Sequence, residues 1–484
     1  MCYFCKKYNI AGTINFTKSP MLANSLRYKS FLESAILSVT GLFILSAPYN
    51  WLFSSYLIAG IGVLSLAYGL SGGSAPVVRN IRWRRFAWCF APLVCLYLLA
   101  LIGMLYTPDP KAGAVLEKNL SFIVFPAIFL LLGPEFFTLK RLKTLGIVFY
   151  ISCLCIIILF LIYLVLALHH PDLKPAYEAH AWFDLLNIFS QNPAAYMTET
   201  HPRFWVHHTF QVWYMLVAMS MIVYTWVVYQ DWYKSWYKKV LNIILLLIFI
   251  FFGIFLSLSK MGYLTFALWC IPTLAFLIYK RFSIIASICI IGLLIGGGWL
   301  VFHHAPEKKQ VVSNTYRLIA TNIFGKETDE KTYHDGSVIP RLALWREAAG
   351  LIKEKPLFGW GTGAEKCVMH PDQYGFPNLQ DDPHPHNQWL LYGIRFGLTG
   401  ILALGWLFFV GFKLAYRTRN GLLAIFMFLT FCFSLTDRNL DFKIGIIFFG
   451  LLYGLFAAFS QYTQTNAKGT SAKPSDVQTG LPAL

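Results

Sequence analysis

The chain has 484 residues, 57% of them apolar and only 13% charged. That charged share is about half the soluble-protein average, and no soluble domain of this length can bury so much apolar side chain; a disordered chain, a disulfide-framed secreted domain and an ordinary soluble enzyme are excluded. Lys and Arg number 40 against 23 Asp and Glu, a net charge of +17, which in so apolar a chain is read as membrane orientation and not as nucleic-acid binding.

Residues 1–30 are polar and basic and are expected to form a cytoplasmic tail with no cleavable signal peptide, with Met21 as an alternative start. Twelve apolar segments follow, at 31–48, 51–70, 86–106, 120–133, 145–168, 206–229, 240–257, 263–279, 283–302, 388–412, 421–436 and 444–460. A helical span needs about 20 residues, so the short segment 120–133 is expected to draw on its flanks or to tilt. Basic residues crowd the connections after even-numbered segments: Arg79, Arg82, Arg84 and Arg85 after the second, Lys140, Arg141 and Lys143 after the fourth, Lys413, Arg417 and Arg419 after the tenth. Such an asymmetry places both termini in the cytoplasm and the odd-numbered connections outside. The fold class is therefore an all-α polytopic membrane protein with about twelve transmembrane helices. Residues 31–302 carry the first nine, interrupted by an outer loop at 169–205; residues 303–387 form a large outer loop; residues 388–460 carry the last three; and 461–484 is a polar cytoplasmic tail expected to be disordered. Within the large loop, Leu342, Trp345, Ala349 and Ile352 recur at helical spacing, between Pro340 at a helix start and Pro356 beyond its end.

Ten cysteines are present, seven of them inside apolar segments. Cys2 and Cys5 have CxxC spacing without a second pair, so no zinc is expected there, and only Cys367 falls in an outer loop, so no disulfide is expected. Chemistry is sought instead where the outer loops meet the spans. His384-Pro385-His386-Asn387, preceded by Asp381 and Asp382, opens the tenth segment; a histidine there can accept a proton near neutral pH, while Asn387 equally suits a helix cap. Arg203 lies where the first outer loop meets the sixth segment, followed by His207 and His208, and Arg341 opens the loop helix. Either arginine suits snorkelling to headgroups or bidentate contact with an anionic ligand such as a diphosphate. Lys260, in a short turn before Gly262, is directed at the same surface. Gly359-Trp360-Gly361-Thr362-Gly363 lacks the Lys-Ser/Thr of a phosphate loop and is read as a tight loop ending the helix. Arg395, about two turns inside the tenth segment, must pair or face a cavity. The His201, His207, His208, His384 and His386 set lacks a metal-binding spacing, so no metal is expected.

Together, Arg341-Leu-Ala-Leu-Trp345, Pro356-Leu-Phe-Gly-Trp-Gly361, His386-Asn387-Gln-Trp-Leu390 and Gly397-Leu-Thr-Gly400 resemble the bacterial O-antigen ligase superfamily, which also holds O-antigen polymerases and protein O-oligosaccharyltransferases. The turn Ser257-Leu-Ser259-Lys260-Met-Gly262 is similar to that family's Ser-Arg-Gly turn with Lys for Arg, and Leu435-Thr-Asp437-Arg-Asn-Leu440 to an acidic turn in many members. The resemblance implies a GT-C-like fold and a metal-independent, cofactor-free glycosyltransferase of the bacterial inner membrane, active on its periplasmic face. Its donor would be a glycan on undecaprenyl diphosphate and its acceptor a sugar hydroxyl of lipid A-core, or another glycan or protein. It implies His386 as general base, Arg341 and Arg203 on the diphosphate, and Lys260, Asn387, His384, His207 and His208 as substrate-binding residues. A twelve-span transporter or flippase is disfavoured, because charge gathers at the outer interface and the chain shows no related halves.

Overall fold

The computed structural model describes residues 20–48, 51–73, 81–168, 208–228, 235–251, 260–279, 292, 338–370 and 383–470. The described residues are mostly helical and contain no strands. In chain order the helices are α1 (Pro20–Ser46), α2 (Trp51–Tyr68), α3 (Ile81–Gly103), α4 (Ala112–Asn119), α5 (Ser121–Leu132), α6 (Leu139–Leu168), α7 (His208–Val228), α8 (Trp236–Ile248), α9 (Lys260–Tyr279), α10 (Val338–Glu354), α11 (Glu365–Val368), α12 (Gln388–Thr418), α13 (Gly421–Ser434) and α14 (Lys443–Thr470). Eight stretches among them are long and apolar enough to cross a membrane, and α13 and Leu264–Ile278 of α9 are shorter apolar helices. This is a multi-pass all-α membrane protein. Eleven of the twelve predicted segments coincide with helix; the ninth, 283–302, falls outside the described residues apart from Gly292, as does the first outer loop at 169–205.

Three boundaries differ from expectation. The short fourth segment gains its length from α4, giving a continuous apolar stretch Ala112–Leu132. Helix α1 begins at Pro20, inside the expected tail, and α14 runs to Thr470, ten residues beyond the expected end of the last span. Residues 461–470 thus continue the helix. Once nucleated, a helix adds one hydrogen bond for each residue it fixes, and no proline interrupts it before Pro474.

Helix α14 is the axis of the bundle, and its stretch Lys443–Gln461 is almost wholly buried. Tyr214 of α7 stacks on its Phe448 with ring centroids 3.8 Å apart, and Trp213 lies flat against Phe426 of α13 at 6.2 Å. With no hydrophobic drive between helices in lipid, such close ring packing carries much of the association. At one end of the bundle Glu33 of α1 accepts from Arg141 of α6 (2.5 Å) and from the Tyr68 hydroxyl of α2 (3.2 Å).

Helix α12 is broken. Gly397 has φ 60° and ψ −144°, far from helical values, and the two halves fold back on each other: a Cβ on Gly400 would lie 2.6 Å from the Tyr392 carbonyl oxygen. A break inside apolar surroundings exposes carbonyls on one side and N–H groups on the other, and each must find a partner. The loop after α10 supplies them. Trp360 and Gly361 donate to the carbonyls of Ile394 and Arg395 (both 2.8 Å), while Leu398 and Thr399 donate to the carbonyls of Pro356 and Leu357 (2.7 and 3.3 Å). The approach requires glycine on both chains. A Cβ on Gly359 would strike Ile394 O at 2.5 Å, and one on Gly397 would strike Pro356 O at 2.5 Å.

Candidate active site

Helix α10 forms where the loop periodicity predicted it, but its buried face is turned from the predicted one. Among its described side chains Leu344 and Ala348 are the buried ones and pack with Leu351, Ile352, Met369 and Ile394, while Ala349 is exposed. Trp345, on the flank, donates its indole N–H to the Pro385 carbonyl at 2.6 Å. That bond ties α10, and Arg341 with it, to the segment His384–Asn387.

Asn387 is the cap of α12. Its side-chain oxygen accepts from the backbone N–H groups of Trp389 (2.9 Å) and Leu390 (3.1 Å), and its amide donates to the Leu435 carbonyl (2.8 Å). Both ends of the Asn387 amide are thus engaged by the scaffold. Asn387→Ala should remove the cap and lower the melting temperature in detergent by the equivalent of about 1 kcal/mol; Asn387→Ser should recover much of it.

His386 precedes the cap with φ 47°, a left-handed conformation that is uncommon outside glycine and that clusters at functional sites. The ring remains a quarter exposed, stands 4.1 Å from the His384 ring and puts Nδ1 3.9 Å from Asp437 Oδ1. Asp437 belongs to the turn between α13 and α14 and is buried. It also acts on Arg341: burial lowers the Arg341 pKa from its ordinary value, and the Asp437 charge opposes that shift. Asp437 thus lies within electrostatic reach of both the arginine and the histidine. The same turn draws in α7, whose Phe210 meets Phe442 edge-on at 5.4 Å. His208 opens α7 and Lys260 opens α9, but the side chains of both lie outside the described residues, as do Arg203 and His207 entirely.

Beneath this cluster lies a buried ionic network. Arg395 donates to both oxygens of Glu365 (2.8 and 2.5 Å) and to Asp441 (2.5 Å), and Arg438 stands 3.7 Å from the other Asp441 oxygen. Arg395, whose role the sequence leaves open, therefore joins α12, the loop after α10 and the turn carrying Asp437. Burial alone would raise the Asp441 pKa, but Arg395 and Arg438 together outweigh it and hold the carboxyl well below the usual carboxylate range. Its contribution to stability is present above its unfolded pKa of about 3.9 and is lost as pH falls through the folded value. Melting curves recorded from pH 6 to pH 3 should show no loss from this group above about pH 5 and a decline below about pH 4.

The loop itself is pinned from the other side. Thr362 donates to the Ala100 carbonyl of α3 (2.6 Å), Thr107 to the Thr362 carbonyl (2.7 Å) and Tyr106 to the Phe358 carbonyl (2.7 Å). Among the described residues no group of three His, Cys, Asp or Glu is gathered for a metal.

The arrangement is a partly exposed imidazole, an acidic partner and a cation at one end of a membrane bundle, on motifs that recur in a known family. Residues 244–405 match the family described as O-antigen ligase. That stretch, about a third of the chain, is similar to an O-antigen ligase domain. Lys260, Arg341, His384, His386 and Arg395 lie within the matched stretch; Arg203, His207 and His208 precede it, and Asp437 and Asp441 follow it. The match supports, in broad terms, a ligase- or polymerase-type enzyme, a class that works on a lipid-linked glycan and an acceptor. A comparison with curated proteins finds no match.

Proposed function

We propose that the protein transfers a glycan from undecaprenyl diphosphate to a sugar hydroxyl of lipid A-core, on the periplasmic face of the bacterial inner membrane. The observation that carries this reading is the convergence of Arg341, His386 and Asp437 at the end of the bundle opposite the Lys140-Arg141-Leu142-Lys143 segment. Under the positive-inside pattern that basic end is cytoplasmic, and the site faces out. The periplasmic loop then spans 303–387, with Pro383–Asn387 delivering the histidine.

In the proposed reaction His386 accepts the proton of the acceptor hydroxyl as its oxygen attacks C1 of the donor sugar. The C1–oxygen bond to the diphosphate breaks, and its electron pair leaves with undecaprenyl diphosphate. His386 then releases its proton to solvent or to the departing phosphate. Asp437 stabilises the imidazolium that forms. Arg341 carries the growing negative charge on the leaving group, an electrostatic contribution that is largest where water is excluded. Arg203 and Lys260 are proposed as further cations on the diphosphate, with His207, His208 and His384 around the substrate. The lipid diphosphate supplies the activation.

Arg341→Ala should lose donor affinity, and Arg341→Lys should recover only part of it, because the ammonium lacks the planar fork. Binding of purified lipid-linked donor measures this; unchanged affinity in the alanine variant removes Arg341 from the diphosphate site. The acceptor is tested in a deletion strain. Lipid A-core bare of any polymer, with lipid-linked glycan accumulating, supports ligation. Cores capped with single repeat units would reassign the chain to polymerisation, and intact lipopolysaccharide with unglycosylated protein to protein O-glycosylation.

A further inference from the structure

The end of the bundle away from the site contains a cavity of about 210 Å³. Leu142 and Gly146 of α6, Met221 of α7, and Leu452 and Phe456 of α14 are among its walls, and Lys143 lines it as well. Leu142 and Gly146 lie within the first turns of α6, and Met221 lies in the second half of α7. The cavity therefore sits in the basic half of the bundle. Its walls are otherwise almost wholly apolar. Arg141, the neighbouring cation, is engaged by Glu33 at 2.5 Å and by the Phe136 ring at 4.5 Å, and Lys140 is exposed just outside. An apolar slot with an ammonium on its lining, in the first turns of a candidate span, is complementary to an amphiphile with an acyl chain and an anionic head.

We propose that this cavity binds one anionic phospholipid of the leaflet facing the basic end, its acyl chain between α6, α7 and α14 and its phosphate against Lys143. The glycan donor does not account for the charge. Its diphosphate belongs at the opposite end, and the 30 residues of α6 alone span about 45 Å. The volume admits part of one chain, which predicts a single bound lipid.

The test uses the purified full chain in detergent, titrated with phosphatidylglycerol or with zwitterionic phosphatidylcholine and read by native mass spectrometry. Wild type should hold one phosphatidylglycerol in preference to phosphatidylcholine. Lys143→Glu, at a partly exposed position, should weaken that binding about tenfold or more, and Gly146→Leu should fill the slot and lower occupancy of either lipid. Lys140→Glu should act less than Lys143→Glu. Equal binding of both lipids, or an undiminished phosphatidylglycerol adduct in Lys143→Glu, would overturn the proposal. So would displacement of the bound lipid by an uncharged polyprenol. Glycan transfer by these variants is a separate measurement, so failure of the lipid site leaves the catalytic reading standing.

Discussion

His386→Ala is expected to abolish glycan transfer while the protein still inserts and folds. The loss should reach about 10²–10⁴-fold, the usual contribution of a positioned general base. The fold should survive because the elements holding this segment do not use the imidazole. Asn387 caps α12 through its own side chain, and Trp345 binds the carbonyl of Pro385. Asp437→Asn, which keeps the shape but removes the charge 3.9 Å from the ring, should show a smaller loss. Turnover of purified lipid-linked donor, with melting temperature as a control for folding, reads both. Near-normal transfer by the alanine variant would eliminate His386 as the base.

Arg395→Met is expected to be the most damaging single change to stability. It leaves Glu365 and Asp441 buried without their shared cation, a situation that costs about 3–5 kcal/mol. Arg438 can compensate Asp441 only in part, at 3.7 Å. The damage should extend beyond the pair. Glu365 ends the loop that closes the break in α12, and Asp441 ends the turn that carries Asp437, so both histidine and acid lose register. The double variant Arg395→Met/Glu365→Leu should be more stable than Arg395→Met alone, since it removes one of the stranded charges. Thermal melts in detergent, with the monodisperse fraction after purification, decide the matter. A melting curve for Arg395→Met that overlays the wild type would show that the network has no structural weight.

Much of the bundle was legible because spans announce themselves by length and apolarity, and because basic residues mark one side. Helix α10 was legible in its proline bounds and its spacing, although the face it buries follows from packing against Ile394, which periodicity alone does not locate. His386 and Arg341 stood out as polar groups at the edges of apolar runs. Asp437 was visible only as part of an acidic turn, and Glu365 and Asp441 not at all: their meaning comes from a guanidinium 30 and 46 residues away. Arg395 was readable as a charge that must be paired, but sequence spacing does not reveal the partner. The break at Gly397 was equally hidden, since its hydrogen bonds run to a loop some 40 residues earlier. What could have raised suspicion is the recurrence of glycines in both Pro356–Gly363 and Gly397–Gly400, more than a tight turn and a single span require.

The doubling back of α12 decides how high the histidine can stand. A straight helix of 31 residues would reach about 46 Å from its junction with α13, whereas the 14 residues of α13 rise only about 21 Å. Asn387 nevertheless meets Leu435, at the top of the shorter helix. The reversal lowers the imidazole from an outlying position to the level of Leu435, at the end of the neighbouring helix. In the proposed reaction the donor stays in the bilayer, and this re-entrant half-helix is what brings the proposed base down to it.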